Sequence, residues 1–199
     1  MKLEKASNKA IKYACMNFHY AKSVPVNVLG YNVFNELKEW CGVILYGTGA
    51  NNHIATPYNL KQGEVIELVR MALNGKQEST SKALSISLKL IKKDVPLCKL
   101  IVSYADKDQN HKGTIYQATN WIFEGLYNEN TRGGFIINGK KTHPKSVYGK
   151  GVKQTLSEVQ KHLDKNATEF ITKGKIKYLY PLCEETKQLC KTLSKEYIK

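Results

Sequence analysis

The sequence predicts an α/β fold, a mixed central sheet flanked by helices, and three consecutive segments carry that prediction. Glu64 to Leu73 (EVIELVRMAL) has the β-branched content of a strand and is bounded by Gly63 and Asn74-Gly75. Val65, Leu68 and Met71 would also suit a helix, but the flanking turn residues favour the strand. Ser79-Thr80-Ser81 then offers three N-cap residues before a helix running to about Lys93. Its Ala83, Leu84, Ile86, Leu88, Leu90 and Ile91 cover a wide arc opposite Ser85, Lys89 and Lys92, so it should lie deep against a sheet. After Pro96, Leu97 to Tyr104 (LCKLIVSY) is a continuous apolar run of the kind found in a central parallel strand.

The other elements follow in chain order. Lys9 to Phe18 reads as a helix or a strand, ending at His19-Tyr20 and the connector Ser23-Val24-Pro25. Tyr31 to Leu37 and Trp40 to Tyr46 read as strands joined by a charged turn, and Asn51 to Gly63 as an irregular loop. Gly113 to Trp121 reads as a short helix and Ile122 to Leu126 as a strand. Asn138-Gly139 is a hairpin signal within Gly134 to Lys140. Gly151 to Leu163 is expected to be one amphipathic helix, and Lys175 to Leu182 a last strand ended by Pro181.

A chain of 199 residues fits a single domain, read here as a core over about residues 10–127 and a basic extension over 128–199. No run approaches the ~18 apolar residues of a membrane span. The N-terminus lacks an apolar signal core, so secretion is not expected. The five cysteines are scattered without C-x-x-C spacing, which reads as a reducing cytoplasm. His53, His111, His143 and His162 have no mutual spacing of a metal site.

The formal charge of +14 favours a polyanionic partner such as nucleic acid. Asn130 to Ser157 contains no acidic residue but holds Arg132, Lys140, Lys141, Lys145, Lys150 and Lys153, the expected phosphate contacts. The bland alternative is a solvated face in a lysine-biased protein, since all basic residues but Arg70 and Arg132 are Lys. That bias singles out the two arginines, whose planar fork lysine cannot copy.

The unit of strand 64–73, loop, helix 79–93 and strand 97–104 resembles the centre of the acetyltransferase (GNAT-type) fold. There, one strand splays from its neighbour and the next helix N-terminus faces a pyrophosphate. Ser79, Thr80 and Ser81 are the matching cofactor-binding candidates. The loop Asn74 to Ser81 has only one glycine, and Glu78 would repel an anion. Asp106 leaves the mouth of the 97–104 strand, where open α/β sheets place ligand sites. It could act as a general base or simply cap a turn. Tyr116, Gln117, Asn120 and Trp121 could hold a flipped base; the two aromatics could equally be core. His19-Tyr20 before a turn reads as an acid/base and orienting pair.

The segments His19-Tyr20-Ala21-Lys22-Ser23-Val24-Pro25, Val102-Ser103-Tyr104-Ala105-Asp106 and His111 through Trp121 resemble the phage Mom family. Gly42 to Asn51 and Glu67 to Leu73 fit the same pattern in the same order. The resemblance implies a GNAT-like fold and a phage enzyme that places an acetamido (methylcarbamoyl) group on the exocyclic amine of adenine in double-stranded DNA, blocking restriction. It puts His19, Tyr20, Asp106 and Tyr116 at the family's catalytic positions, and Arg70 and Ser81 at positions supporting the donor. The run Gly75 to Ser81 departs from the family by lacking its more usual proline. Acetyl-CoA and an aminoacyl-tRNA are both conceivable donors. Two rival readings stand beside this one. The first is a GNAT-like acyltransferase acting on a protein, a tRNA or a small amine; the second is a non-catalytic, basic, DNA-binding anti-restriction protein.

Overall fold

A computed structural model of the chain describes residues 1–26, 28–49 and 53–196. They fall into two compact units, the first Met1–Ala105, Gly113–Gly125 and Lys177–Lys199, the second Asp106–Lys112 and Leu126–Ile176. The expected loop Asn51 to Gly63 lies outside the described residues at Asn51 and Asn52. Its remainder holds a 3-10 turn over Thr56–Tyr58.

The first unit is built on a seven-stranded sheet of order β1-β2-β3-β4-β5-β10-β6. Here β1 is Lys2–Lys5, β2 Val28–Phe34, β3 Trp40–Gly47, β4 Val65–Leu73, β5 Leu100–Asp106, β6 Ile122–Tyr127 and β10 Lys175–Pro181. The strands β1 to β4 pair antiparallel in sequence order, while β4 and β5 are parallel. Parallel neighbours need a crossover, and α2 (Thr80–Asp94) supplies it.

Helices cover both faces. The segment left open between helix and strand is helix α1 (Asn8–Phe18), started by Ser7, whose hydroxyl accepts from the Ala10 amide. Its Ile11, Ala14 and Cys15 pack with Val43, Leu45 and Ala72. Alternate residues of β3 point the other way, where the Tyr46 hydroxyl meets Ser87 of α2 at 2.6 Å. Ser87 itself donates to the Leu84 carbonyl, so its oxygen receives the Tyr46 proton. Buried on both faces, β3 explains its own unbroken apolar run. Beyond β5, Lys177 of β10 and Glu124 of β6 form a buried ion pair at 3.1 Å, and the Tyr58 hydroxyl donates to the same carboxylate. A helix α6 (Glu184–Leu193), which the apolar pattern did not announce, adds Cys190 to the cluster of Val65, Leu100, Val102 and Leu179.

The decisive feature lies between β4 and β5. Their pairing runs from Val65↔Leu100 to Leu68↔Ser103 and stops there, although β4 continues to Leu73 and β5 to Asp106. At the same level β4 carries a bulge against β3. Leu45 faces Arg70 and Tyr46 faces Leu68, which leaves Val69 unpaired. A bulge bends and twists its strand, and β4 leaves β5 where the bulge sits.

The second unit holds a three-stranded sheet of order β8-β7-β9, with β7 Thr131–Ile137, β8 Lys140–Thr142 and β9 Thr168–Thr172. Asn138 and Gly139 both take positive φ, 48° and 73°, as the two-residue turn between β7 and β8 demands. Its core is Phe135, Ile137, Val147, Val152, Val159 and Ala167, partly supplied by α4 (Pro144–Tyr148). The expected helix over 151–163 is shorter: α5 covers Leu156–His162. Gly151 sits at φ 76° and Thr155 caps the helix, so the apolar Val152 belongs to the core without being helical.

Asp108 ties this unit together. Its carboxylate accepts from the Thr172 hydroxyl at 2.5 Å and the Lys173 amide at 3.4 Å, and Lys141 lies 3.8 Å away. Chiefly the Thr172 bond holds its carboxyl below the ordinary value. A depressed carboxyl stabilises the fold above its unfolded pKa, about 3.9, and that contribution disappears as pH falls through the lowered value. Asp108→Asn should therefore lower the melting temperature near neutral pH and flatten the loss of stability below about pH 4. Melting curves across the acid range check this; an acid limb as steep as that of the parent would mean that other carboxylates set it.

Candidate functional site

The point where β4 and β5 part is also where polar groups enter an apolar layer. Ser103, the last paired residue of β5, is buried and donates to the Leu68 carbonyl at 2.9 Å. A carbonyl can only accept, and Ser103 has one proton to give. Its 2.8 Å contact with the Tyr116 hydroxyl must then carry the tyrosine's proton. Tyr116, 6 % exposed, thus points its hydrogen at Ser103, and its oxygen can still accept a hydrogen bond.

Tyr116 is placed by α3 (Thr114–Gln117), which starts from Gly113 at φ 76°. A Cβ on Gly113 would lie 2.0 Å from the Tyr178 hydroxyl oxygen, so only glycine fits. The Tyr178 ring stacks on Tyr116 at 4.6 Å and 22°, and Trp121 meets its edge at 5.1 Å. Burial pushes the Tyr116 hydroxyl up to about 12; the Ser103 bond works the other way, and the nearby Tyr178, Glu67 and Tyr20 add to the rise.

Tyr20 therefore lies close enough to Tyr116 for their charges to matter. It follows His19, the C-cap of α1, whose Nδ1 accepts from the Ala21 amide at 3.1 Å. The His19 and Tyr20 rings lie 4.2 Å apart at 31°, and Tyr20 is half exposed. Arg70, just past the bulge on β4, donates to the Ser23 carbonyl of the same turn. Its Nε is buried with no hydrogen-bond partner among the described residues, a costly arrangement for a guanidinium. The first unit thus brings His19, Tyr20, Arg70 and Tyr116 to one region around the end of the β4–β5 pairing.

The N-terminus of α2 lies beyond the far end of β4. Ser79 caps it by accepting from the Lys82 amide at 3.1 Å and contacts the Ser81 hydroxyl at 3.0 Å. Thr80 accepts from the Gln77 amide group. The Glu78 carboxylate accepts from the Glu36 amide at 2.6 Å, chiefly for which its carboxyl is held below the ordinary range. Its charge is thereby committed to the β2–β3 turn.

Gln117 and Asn120 are exposed after α3, Asn120 at φ 60°. Trp121 is 2 % exposed and also packs on Tyr180 at 5.3 Å. Asp106 belongs to the second unit and caps a 3-10 turn over Lys107–Gln109, accepting from the Asp108 amide at 2.9 Å. In that unit Arg132 pairs with Glu169 at 3.0 Å, and Lys141 with Asp108. Lys140, Lys145, Lys150 and Lys153 are exposed.

Two residues of this region were not picked out from the sequence. Ser103 and Glu67 are the polar interruptions of otherwise apolar strands (LIVSYAD and VIELVRM), and that interruption was the available signal. Burial raises Tyr104 as it does Tyr116, and the Glu67 charge adds to both.

A sequence profile of the Mom protein family matches residues 1–199. No curated protein sequence matches the chain. Among solved structures, the spermidine N-acetyltransferase SpeG of Vibrio cholerae is similar over 95 % of this chain and 99 % of its own, at 7 % identity and a TM-score of 0.54. A Bacillus subtilis acetyltransferase in complex with CoA is similar over 92 % and 99 %, at 10 % identity and 0.51. NAA60 of Arabidopsis thaliana, in complex with a bisubstrate analogue, is similar over 90 % and 99 %, at 8 % identity and 0.53. The fold is that of the GNAT acetyltransferases, as the strand–helix–strand unit predicted.

The Ser103 bond makes a stability prediction. Tyr116→Phe should cost about 1 kcal/mol and Ser103→Ala more, because it also leaves the Leu68 carbonyl without its donor; the double variant should cost less than their sum, because both single changes remove the Ser103–Tyr116 hydrogen bond. Thermal or denaturant unfolding of the four proteins closes the cycle; additive losses would show that the two hydroxyls do not act on each other.

Proposed function

This chain belongs to the Mom protein family, and on that premise we propose that it transfers an acetamido (methylcarbamoyl) group to the exocyclic amine of adenine in phage DNA, shielding that DNA from host restriction. The observation that carries the reading is the Tyr116–Ser103–Leu68 chain at the fork of β4 and β5. It supports an amine substrate: a hydroxyl whose proton is committed inward accepts an N–H from the guest. Adenine's amine is a poor nucleophile because its lone pair is delocalised into the ring. As the new N–C bond forms and the donor's leaving group departs, an N–H proton must go to an acceptor.

The roles follow residue by residue. Asp106 is the proposed proton acceptor, and the resemblance, more than its capping bond, supports that role. Tyr116 receives the amine N–H, and His19 and Tyr20 flank the transferred carbon. Gln117 and Asn120 read the base edge, while Trp121 backs the Tyr116 ring. Arg70 fixes the His19–Tyr20 turn through Ser23 and, with Ser79, Thr80 and Ser81, faces the donor. Backbone amides and the dipole of α2 favour an anionic donor group there. The neighbours' fold favours acetyl-CoA, but its acyl group carries no nitrogen and by itself would leave an acetyl group on the amine; an aminoacyl-tRNA, the alternative, brings the nitrogen that the acetamido group needs. Lys140, Lys145, Lys150 and Lys153 hold phosphates, and Arg132 and Lys141 join them where DNA competes with their carboxylate partners. Acyl transfer to a protein, a tRNA or a small amine is the second reading, and it draws on the fold alone.

Plasmid DNA from cells expressing the protein, freed of protein, should resist endonucleases whose sites contain adenine. DNA from cells expressing Asp106→Ala should be cut like naked DNA, while that variant keeps its melting temperature within a few degrees. Cleavage of both plasmids alike would sink the reading, and a collapsed melting temperature would return Asp106 to a capping role.

Changing Lys140, Lys141 and Lys145 together to Ala should flatten the log–log salt dependence of duplex binding. At about 0.9 per contact the slope should fall by about 1.8 for Lys140 and Lys145, and by about 2.7 where DNA also draws Lys141 from Asp108. An unchanged slope would move the footprint off this segment.

A further inference from the structure

We propose that the outer face of α1, with the open slot beside Tyr13 and Trp40, binds an unpaired nucleotide of a nucleic-acid strand. A second acid-free stretch, besides that of Asn130 to Ser157, runs from Lys5 to Asn35 and holds Lys5, Lys9, Lys12 and Lys22. Within it, α1 buries Ile11, Ala14 and Cys15 and turns Lys9, Lys12, Tyr13 and Met16 outward. An ordinary surface helix keeps its outer face polar. Here Tyr13 is 55 % and Met16 43 % exposed, and Tyr20, in the turn just past the helix end, is 51 % exposed.

Beside this stripe lies a cavity of about 510 Å³ lined by Ser7, Lys9, Ala10, Tyr13, Asn32 and Trp40. Tyr13, Trp40 and Phe18 pack as one cluster, with centroids 5.6 to 5.8 Å apart at 46° to 79°, so a guest base stacks on an outward ring face and not between the rings. The Trp40 indole N–H donates to Asn32 at 2.9 Å, and the Asn32 amide donates to the Lys5 carbonyl at 3.3 Å. The wall's polar atoms are therefore occupied, and what remains for a guest is aromatic surface with an ammonium at the mouth.

The charge balance selects the guest. The neighbouring carboxylates are engaged: Glu4 with Lys2 at 2.9 Å, Asp94 with Lys5 at 3.6 Å and with the Tyr31 hydroxyl, Glu39 with the Asn35 amide. Lys9 and Lys12 form no ion pair among the described residues. Aromatic faces interleaved with uncompensated lysines are the chemistry that holds single-stranded nucleic acid, by stacking on any base and attracting its phosphates. Tyr13 lies six residues before His19, roughly 9 Å along the helix, so a strand seated here passes the His19–Tyr20 turn.

Titration with a short oligothymidylate tests this apart from any adenine chemistry. Trp121 is buried and Trp40 partly exposed, so quenching of tryptophan fluorescence reports the slot. Quenching is expected with the native chain and lost in Trp40→Phe. Tyr13→Ala should weaken affinity about tenfold, and Lys9→Gln with Lys12→Gln should flatten the salt dependence. No quenching, or equal affinity in Tyr13→Ala, would overturn the proposal. So would concentration-dependent dimerisation abolished by Met16→Ser without any response to the oligonucleotide, which would assign the face to a second copy of the chain.

Discussion

The hydroxyl of Ser103 has one proton, and the Leu68 carbonyl takes it. From that bond follows the direction of the Tyr116 proton and with it what Tyr116 can offer a guest. The same pair of residues ends the parallel ladder, beside a bulge that turns β4 away. One position on β5 therefore both closes the sheet and supplies the polar anchor of the region beyond it. A buried serine is costly unless its hydroxyl is bonded. It is bonded on both sides, and Tyr178 and Gly113 fix the ring that completes the bond.

Much of this was legible in the sequence. The unbroken apolar run after Pro96 became a parallel strand, and the three hydroxyls before Lys82 became the N-terminus of α2, with Ser79 as its cap. Asn138-Gly139 formed the turn it announced. The misses have physical causes. The pattern over 151–163 looked helical because Val152 and Val159 share one core, but Gly151 and Thr155 set the helix start later. Helix α6 escaped because its segment is largely polar and buries few residues, among them Thr186 and Cys190. Ser103 and Glu67 escaped because single polar residues inside strand runs read as noise until their partners are known.

Charge was legible in amount but less so in placement. The acid-free segment 130–157 drew attention first, yet two of its six basic residues have carboxylate partners from distant stretches of the chain. The stretch 5–35 is as free of acid, and it carries exposed aromatics as well. Net charge alone cannot tell a solvated face from a binding face. The interleaving of aromatic and basic side chains on one helix face is the more specific signal, and it appears only once the helix is built. Likewise Glu78, an apparent obstacle to an anion at α2, is turned onto the Glu36 amide.

The central claim is chemical: that this site alters adenine. Mass spectrometry of nucleosides from DNA co-expressed with the protein addresses it most directly. The account predicts a deoxyadenosine heavier by one acetamido substituent, present with the native chain and missing with Tyr116→Phe. Unmodified deoxyadenosine beside an acylated protein, tRNA or polyamine in the same cells would contradict it.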